Sequence, residues 1–148
     1  MNIQDRLLTA AQKIKEQEAL QQRREATCKL IEQQKLQLQQ LKKQLDKELK
    51  DVEQLEGFTL QNFWHSLKGT KDAAKHKEQE EYLAAKMKFD SANAALENLQ
   101  NDLRRIDSAL ASLKDAQAEY QTALREKEQQ LLAYSKPESR RLWEISEQ

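Results

Sequence analysis

Few side chains in this sequence could support catalysis or metal binding, and their spacing suits neither. The chain has one cysteine, Cys28, and two histidines, His65 and His76. A single cysteine allows neither an intrachain disulfide nor a CxxC pair. The sequence contains no HExxH, P-loop, GxGxxG or GxSxG motif. His76 and Glu80 are one helical turn apart, where they would form a surface pair. We therefore expect no enzymatic activity, no metal or cofactor, and no small-molecule substrate.

The composition is typical of long helices rather than of a compact globule. Charged residues make up 34% of the 148 residues and aromatic residues 5%, with only two glycines and one proline. Residues of the Ala, Glu, Lys, Leu, Arg and Gln type dominate, as in coiled coils. The mean hydropathy of −0.98 would also suit disorder, but disorder does not require leucines at a fixed period, and these are present.

The charge balance argues against nucleic-acid and membrane partners. There are 25 basic and 25 acidic residues, so the formal net charge is zero. A nucleic-acid-binding protein should show a basic excess or stripe, whereas here the two signs are interleaved, as on solvated helix faces. The first residues lack a signal-peptide core, and no run of about 18 apolar residues is present. We expect a cytoplasmic protein.

The first predicted helix covers residues 3–56. Asn2 can cap it, and Asp5 in the first turn suits the helix dipole. Apolar residues follow at helical spacing, thin out between residues 16 and 29, and return. They are Ile3, Leu7, Ala10, Ala11, Ile14, Ala19, Leu20, Ala26, Cys28, Ile31, Leu38, Leu41, Leu45, Leu49, Val52 and Leu55. Because the rest of this helix is polar, it is stable only if its apolar stripe packs against another helix.

Residues 57–70 form the predicted tip of a hairpin, bracketed by the two glycines, Gly57 and Gly69. Gly57 suits the left-handed residue that ends many helices. Between the glycines we predict a short helix, which folds back over Ala73 and Ala74. The apolar tip residues are Phe58, Leu60, Phe63, Trp64 and Leu67. They either stabilise the turn alone or also present an apolar surface to a partner.

The second predicted helix, residues 71–135, carries the clearest pattern. Its stripe steps alternately by three and four residues through Tyr82, Ala85, Phe89, Ala92, Leu96, Leu99, Leu103, Ile106, Leu110, Leu113, Gln117, Tyr120, Leu124, Lys127, Leu131 and Tyr134. Only Gln117 and Lys127 interrupt the apolar pattern. A seven-residue repeat kept over about seven heptads predicts a left-handed coiled coil.

An antiparallel hairpin with this turn has a predicted register. The opposite pairs are Leu55 with Lys71, Ile31 with Leu96, and Leu7 with Glu119 or Tyr120. Residues after about Leu124 would then have no helical partner within the hairpin. Proline disfavours helical geometry in the residue before it, so Lys136-Pro137 predicts a break. A short last helix, residues 137–147, is expected after it and contains Leu142 and Trp143.

The segment Leu55–Ala92 resembles a family of bacterial coiled-coil proteins of unassigned function. The shared pattern is Leu-Glu-Gly at 55–57, a short apolar helix up to Leu67, Gly69, a charged run, and Glu-Tyr-Leu-Ala-Ala-Lys at 81–86. The resemblance covers about a quarter of the chain and implies neither an activity nor catalytic residues. It also implies that longer members continue into a Trp- and Gly-containing segment, so we expect a fragment or a short form.

Together these patterns predict a single all-α domain over residues 1–148. It is a long antiparallel two-helix coiled-coil hairpin with a short helical aromatic tip and a short C-terminal helix. We interpret it as a structural or protein–protein interaction module that forms a dimer or four-helix bundle. The candidate partner-binding residues are Phe58, Leu60, Phe63, Trp64, Leu67, Leu131, Leu142 and Trp143.

Two alternative functions stay open at this point. One is a stalk or chaperone-like component of a secretion or motor assembly, which binds its client through the tip or the C-terminal segment. The other is a coiled-coil arm associated with a nuclease or an ATPase. A basic groove would support the second alternative, and the even charge argues against it.

Overall fold

The computed structural model describes residues 1–54 and 73–146, with side-chain burial described for 1–54 and 76–135. Helix α1 runs over Ile3–Glu53, α2 over Ala73–Ser112 and α3 over Ala116–Ser146. No strand occurs in this described part of the chain. The all-α prediction is confirmed. Since only a three-residue turn separates α2 from α3, they form one bent helical segment.

The start of α1 is as the sequence predicts. The Asn2 side-chain oxygen Oδ1 accepts a hydrogen bond from the backbone N–H of Asp5 at 2.8 Å, which satisfies one of the free N–H groups at a helix start. Asp5 lies in the first turn. At the other end the last helical residue is Glu53 rather than Glu56, and the predicted tip lies outside the described residues.

The prediction of one continuous helix over 71–135 is wrong at Leu113–Asp115. There the Leu113 N–H donates to the Leu110 carbonyl and the Ala116 N–H to the Leu113 carbonyl, both at 3.1 Å. These are the i to i+3 bonds of a tighter turn. The physical reason is the polar Gln117 at the next position of the repeat. The structure instead buries Ala116 and leaves Gln117 exposed.

The predicted break at Lys136-Pro137 is also wrong, because α3 continues through Pro137 to Ser146. Proline lacks the N–H that would donate to the Ala133 carbonyl, which costs the helix one hydrogen bond. Its ring nevertheless fixes φ near the helical value. The separate short helix over 137–147 is therefore replaced by the last turns of α3.

The chain divides into two compact units, of which unit 2 is Glu25–Arg104. Its core holds Val52 and Tyr82, against which Leu45 and Leu49 pack. The other buried side chains of this unit are Thr27, Ile31, Gln79, Ala85 and Ala92. The Gln34 amide donates to the Ala92 carbonyl at 2.9 Å, which is a contact between α1 and α2.

Unit 1 comprises Met1–Arg24 and Arg105–Gln148. Its buried apolar residues are Ala10, Ile106, Leu113, Ala116 and Ala123. Among its described residues, three ion pairs join the two segments, namely Arg6 with Glu126 at 2.5 Å, Lys13 with Glu119 at 3.0 Å, and Arg24 with Asp107 at 2.7 Å. Successive residues of α1 thus pair with progressively earlier residues of the second segment. All six side chains are about half-exposed, so each pair stabilises the fold by less than about 1 kcal/mol.

The register predicted for unit 1 needs a correction. The sequence placed Leu7 opposite Glu119 or Tyr120, whereas the neighbouring Arg6 pairs with Glu126. The shift is about one and a half turns of helix. The pair of Arg24 with Asp107 already shows a similar offset, so the shift is present before the turn at Leu113–Asp115.

Candidate interaction surface

The predicted partner-binding residues fall into three groups in the structure. The five tip residues Phe58, Leu60, Phe63, Trp64 and Leu67 lie outside the described residues. Leu142 and Trp143 are in α3, but their side chains are also outside the described set. Leu131 is described, and 60% of it is exposed. The structure therefore locates one predicted residue on a surface.

Leu131 belongs to a stripe on α3 whose residues change from half-buried to exposed part of the way along the helix. Tyr120, Leu124 and Lys127 on this stripe are half-buried. The next two positions, Leu131 and Tyr134, are 60% and 79% exposed. All five residues lie in one helix. The stripe is therefore continuous, and only the burial of its side chains changes.

The cover ends because α1 begins too late to reach further along α3. Helix α1 starts at Ile3, and Arg6 in its first turn pairs with Glu126. Residues of α3 that follow Leu131 extend past this start. We call the segment Leu131–Ser146 the α3 overhang; it is roughly four helical turns long. Within the described residues no helix lies against its first turn, where residues 131–135 are all exposed.

The sequence analysis missed one residue of this surface. Tyr134, which is on the predicted stripe but not among the predicted partner-binding residues, is 79% exposed. Leu131 and Tyr134 are three positions apart on the same face of α3, and together they form what we call the C-terminal apolar surface. Leu132 is 61% exposed but lies on nearly the opposite side of the helix from Tyr134. The run of Leu-Leu-Ala-Tyr at 131–134 was the available signal. Contiguous exposed apolar residues of this kind mark interaction sites on soluble proteins.

Other exposed apolar side chains lie apart from one another along their helices. They are Met1 and Leu8 in unit 1, and Leu30, Leu36 and Met87 in unit 2. Isolated exposed apolar residues are normal on protein surfaces. The C-terminal apolar surface differs from them because Leu131 and Tyr134 are three positions apart on one face of α3.

A groove of about 470 Å³ in unit 2 and another of about 430 Å³ in unit 1 follow the contacts between helices. The charged side chains at the unit 1 groove include Arg6, Lys13 and Glu119, which are already engaged in ion pairs. The unit 2 groove is lined largely by small or amide side chains, such as Ser91, Ala95 and Gln37.

Three carboxylates approach one another in unit 2, and the sequence analysis overlooked them. One oxygen each of Glu48, Glu78 and Glu81 lies within 4.8 Å of the others. Among the described residues, Glu48 Oε2 and Glu78 Oε2 are buried without a hydrogen-bond partner. The burial of its carboxyl raises the pKa of Glu48, and the charges of Glu81, Asp51 and Glu78 raise it further. Such a group could hold a cation, but acidic clusters are common on surfaces without one.

Replacing Glu48 by glutamine should stabilise the protein at neutral pH. Because the pKa of Glu48 is higher in the folded than in the unfolded chain, its ionisation opposes folding. The favourable contribution is complete below the ordinary pKa of 4.5 and is lost as pH rises through the folded value. We expect Glu48→Gln to raise the melting temperature by about 1–4 °C at pH 7.

The same substitution should leave the melting temperature unchanged near pH 3.5, where Glu48 is protonated in both states. The control is Glu18→Gln, which removes an exposed carboxylate from the same helix. Circular dichroism melts at the two pH values measure the difference. A Glu48→Gln melting temperature no higher than wild type at pH 7 would show that the three carboxylates do not repel.

None of the helices in the described ranges is long and apolar enough to cross a membrane. Comparison with protein-family models, with curated proteins and with solved structures found no match. What the C-terminal apolar surface does is therefore argued from its geometry alone.

Proposed function

We propose that this chain is a non-enzymatic protein-interaction module, built as an antiparallel coiled-coil hairpin, which binds a helical protein partner through its C-terminal apolar surface. The observation that carries the proposal is the change along one α3 stripe. Lys127 is half-buried, whereas Tyr134, two stripe positions later, is 79% exposed. An apolar stripe without cover is the feature that a partner would bury.

Two observations support the hairpin. The ion pairs of unit 1 join progressively later residues of α1 to progressively earlier residues of the second segment, from Arg6 with Glu126 to Arg24 with Asp107. This reversed order is what antiparallel neighbours produce. In addition, every position of the predicted repeat from Tyr82 to Leu113 is buried or half-buried, as a coiled-coil stripe should be.

The preferred partner is a helix, because another helix already covers the same stripe. Tyr120 and Leu124 are half-buried in unit 1, which also contains the first part of α1, and the stripe continues beyond them at the same three- and four-residue spacing. The flanking side chains Arg125 and Glu128 are exposed and of opposite sign, which suits solvated edges of a helix pair. A membrane-binding helix would instead carry a mainly basic polar face.

The proposal extends to the rest of the predicted interaction residues. The tip, with Phe63 and Trp64 at its centre, is proposed as a second contact site. The resemblance of Leu55–Ala92 to a bacterial coiled-coil family stays a prediction, and that family implies no activity. The partner is either a second copy of the chain, in a dimer or four-helix bundle, or a different helical protein.

Site-specific photo-crosslinking in cells tests this proposal. A photoreactive phenylalanine analogue replaces Tyr134 in one variant and Leu36 in the control, since Leu36 is a comparably exposed residue on α1 of unit 2. We expect protein adducts from position 134 and none, or far fewer, from position 36. Adducts are identified by mass spectrometry. Equal yields at the two positions, or no adduct from position 134, would contradict an interaction surface on α3.

A further inference from the structure

Unit 1 buries small apolar residues and leaves larger ones partly exposed. Its buried side chains include Ala10 of α1, together with Ala116 and Ala123 of α3. Ile14 of α1 and Leu124 of α3 are only half-buried. Burial of a leucine or an isoleucine removes more apolar surface from water than burial of an alanine. The observed packing of α3 therefore leaves apolar surface that a different rotation of the helix would bury.

A second possible contact stripe lies on α3 beside the observed one. The observed stripe contains the buried Ala116 and Ala123, whereas the stripe of the seven-residue repeat contains Gln117 and Leu124. Both stripes contain the half-buried Tyr120. Since they share every second position, their midlines are separated by about half of the roughly 100° between successive helical residues. A roll of α3 about its own axis by about 50° would therefore exchange one stripe for the other.

The turn at Leu113–Asp115 sets the rotation of α3. The N–H groups of Leu113 and Ala116 each donate to the carbonyl three residues earlier, which is the pattern of a 3₁₀-helix. Three residues at about 120° each, instead of about 100°, turn the chain by about 60° more than an α-helix would. This excess is close to the roll that separates the two stripes. Conversion of the turn to regular α-helix would therefore bring Gln117 and Leu124 towards α1.

Two ion pairs hold the observed rotation, and we call them the ion-pair latch. Glu119 and Glu126 are seven residues apart and therefore share one face of α3. Their partners on α1 are Lys13 and Arg6. The two glutamates and Leu124 lie on opposite sides of the observed stripe. The roll that brings Leu124 to α1 would thus turn both carboxylates away from their partners.

We infer that α3 is a two-state element that rolls about its axis, with the turn at Leu113–Asp115 as its pivot and the ion-pair latch as its lock. In the latched state Ala116 and Ala123 face α1, and the turn is tight. In the rolled state Leu124 faces α1, the turn is α-helical and the latch is open. The rolled state also buries the polar side chain of Gln117, which keeps it the minor state at low salt.

The roll would turn the C-terminal apolar surface as well, because Leu131 and Tyr134 belong to the same helix. A partner that contacts both this surface and the first turn of α1 would bind the two states with different affinities, and so would shift their populations. This consequence rests on the proposed function, whereas the roll itself involves the chain alone.

Disulfide trapping within the chain tests the roll. Ala10 and Ala123 lie at the same level, since each is between the two latch positions of its own helix. In a Cys28→Ala background, Ala10→Cys is combined with Ala123→Cys to trap the latched state, or with Leu124→Cys to trap the rolled state. Arg125→Cys, at an exposed position on the far side of α3, measures the background rate.

At low salt we expect the disulfide between positions 10 and 123 to form fastest under a mild oxidant. Raising NaCl from about 0.05 M to about 1 M should lower its initial rate relative to that of the 10–124 disulfide by about three- to tenfold, because salt screens the half-exposed latch. The double variant Glu119→Gln/Glu126→Gln should show this changed ratio already at low salt. The control Glu32→Gln/Asp90→Asn removes two carboxylates that pair within single helices, and it should leave the ratio unchanged.

A rate ratio that neither salt nor the double latch variant changes would overturn the inference. So would a 10–124 disulfide that forms no faster than the 10–125 disulfide at high salt. If the 10–123 and 10–124 rates both fall to the 10–125 background, α3 separates from α1 instead of rolling, which also overturns it. These measurements involve no partner, so they are independent of photo-crosslinking from position 134, and either result can fail while the other stands.

Discussion

Replacement of Tyr82 by alanine is expected to lower the free energy of unfolding by roughly 3–5 kcal/mol, the usual cost of removing a buried aromatic side chain. Tyr82 is 7% exposed and forms the core of unit 2 with Val52. Leu45 and Leu49 of α1 pack against these two residues. The alanine would leave a cavity between α1 and α2 that these neighbours can fill only in part.

Urea titration followed by circular dichroism measures this loss. The control is Met87→Ala, which shortens a large side chain on the same helix that is 65% exposed. We expect the control to change stability by no more than about 0.5 kcal/mol. A loss of under 1 kcal/mol for Tyr82→Ala would mean that Tyr82 does not lie between the two helices.

Enlarging Ala123 to leucine is expected to destabilise the protein by about 1–3 kcal/mol, because the new side chain has no space. Ala123 is fully buried in unit 1, and Ala116, one heptad earlier, is nearly so. Small residues at these two positions allow α3 to lie close to α1. The control is Ala111→Leu, at an exposed position in α2, which should have little effect on stability.

The substitution at Ala123 also tests the corrected register of α3. The sequence alone placed Gln117 on the buried stripe of this segment, and the structure exposes it. Gln117→Leu should therefore leave the urea midpoint nearly unchanged. If Gln117→Leu stabilises the protein and Ala123→Leu is neutral, the unshifted repeat is right and the turn at Leu113–Asp115 is wrong.

Much of the fold follows from local pattern. The start of α1 was predictable because Asn2 is a good cap, and the buried positions of α2 were predictable because a seven-residue repeat keeps one face towards a neighbour. Both depend on residues close in sequence. The surface pair of His76 with Glu80, at 3.2 Å, follows from the same helical spacing.

The remaining features depend on contacts between distant segments. Across the turn at Leu113–Asp115 the buried positions move from the predicted Gln117 and Leu124 to Ala116 and Ala123, so the repeat alone could not show that Ala123 is buried. Helix α3 runs through Pro137 against the local preference of proline. The approach of Glu48 to Glu78 and Glu81 exists only once α1 and α2 are side by side. Tyr134 fits the repeat, and its exposure follows from where α1 begins.

The central proposal is that α3 presents an apolar surface at Leu131 and Tyr134 which a helical protein partner covers. The yield of photo-crosslinked protein adducts from position 134, compared with the yield from position 36, tests it most directly. The account predicts protein adducts from position 134 and none, or far fewer, from position 36. Equal yields at the two positions, or no adduct from position 134, would contradict it.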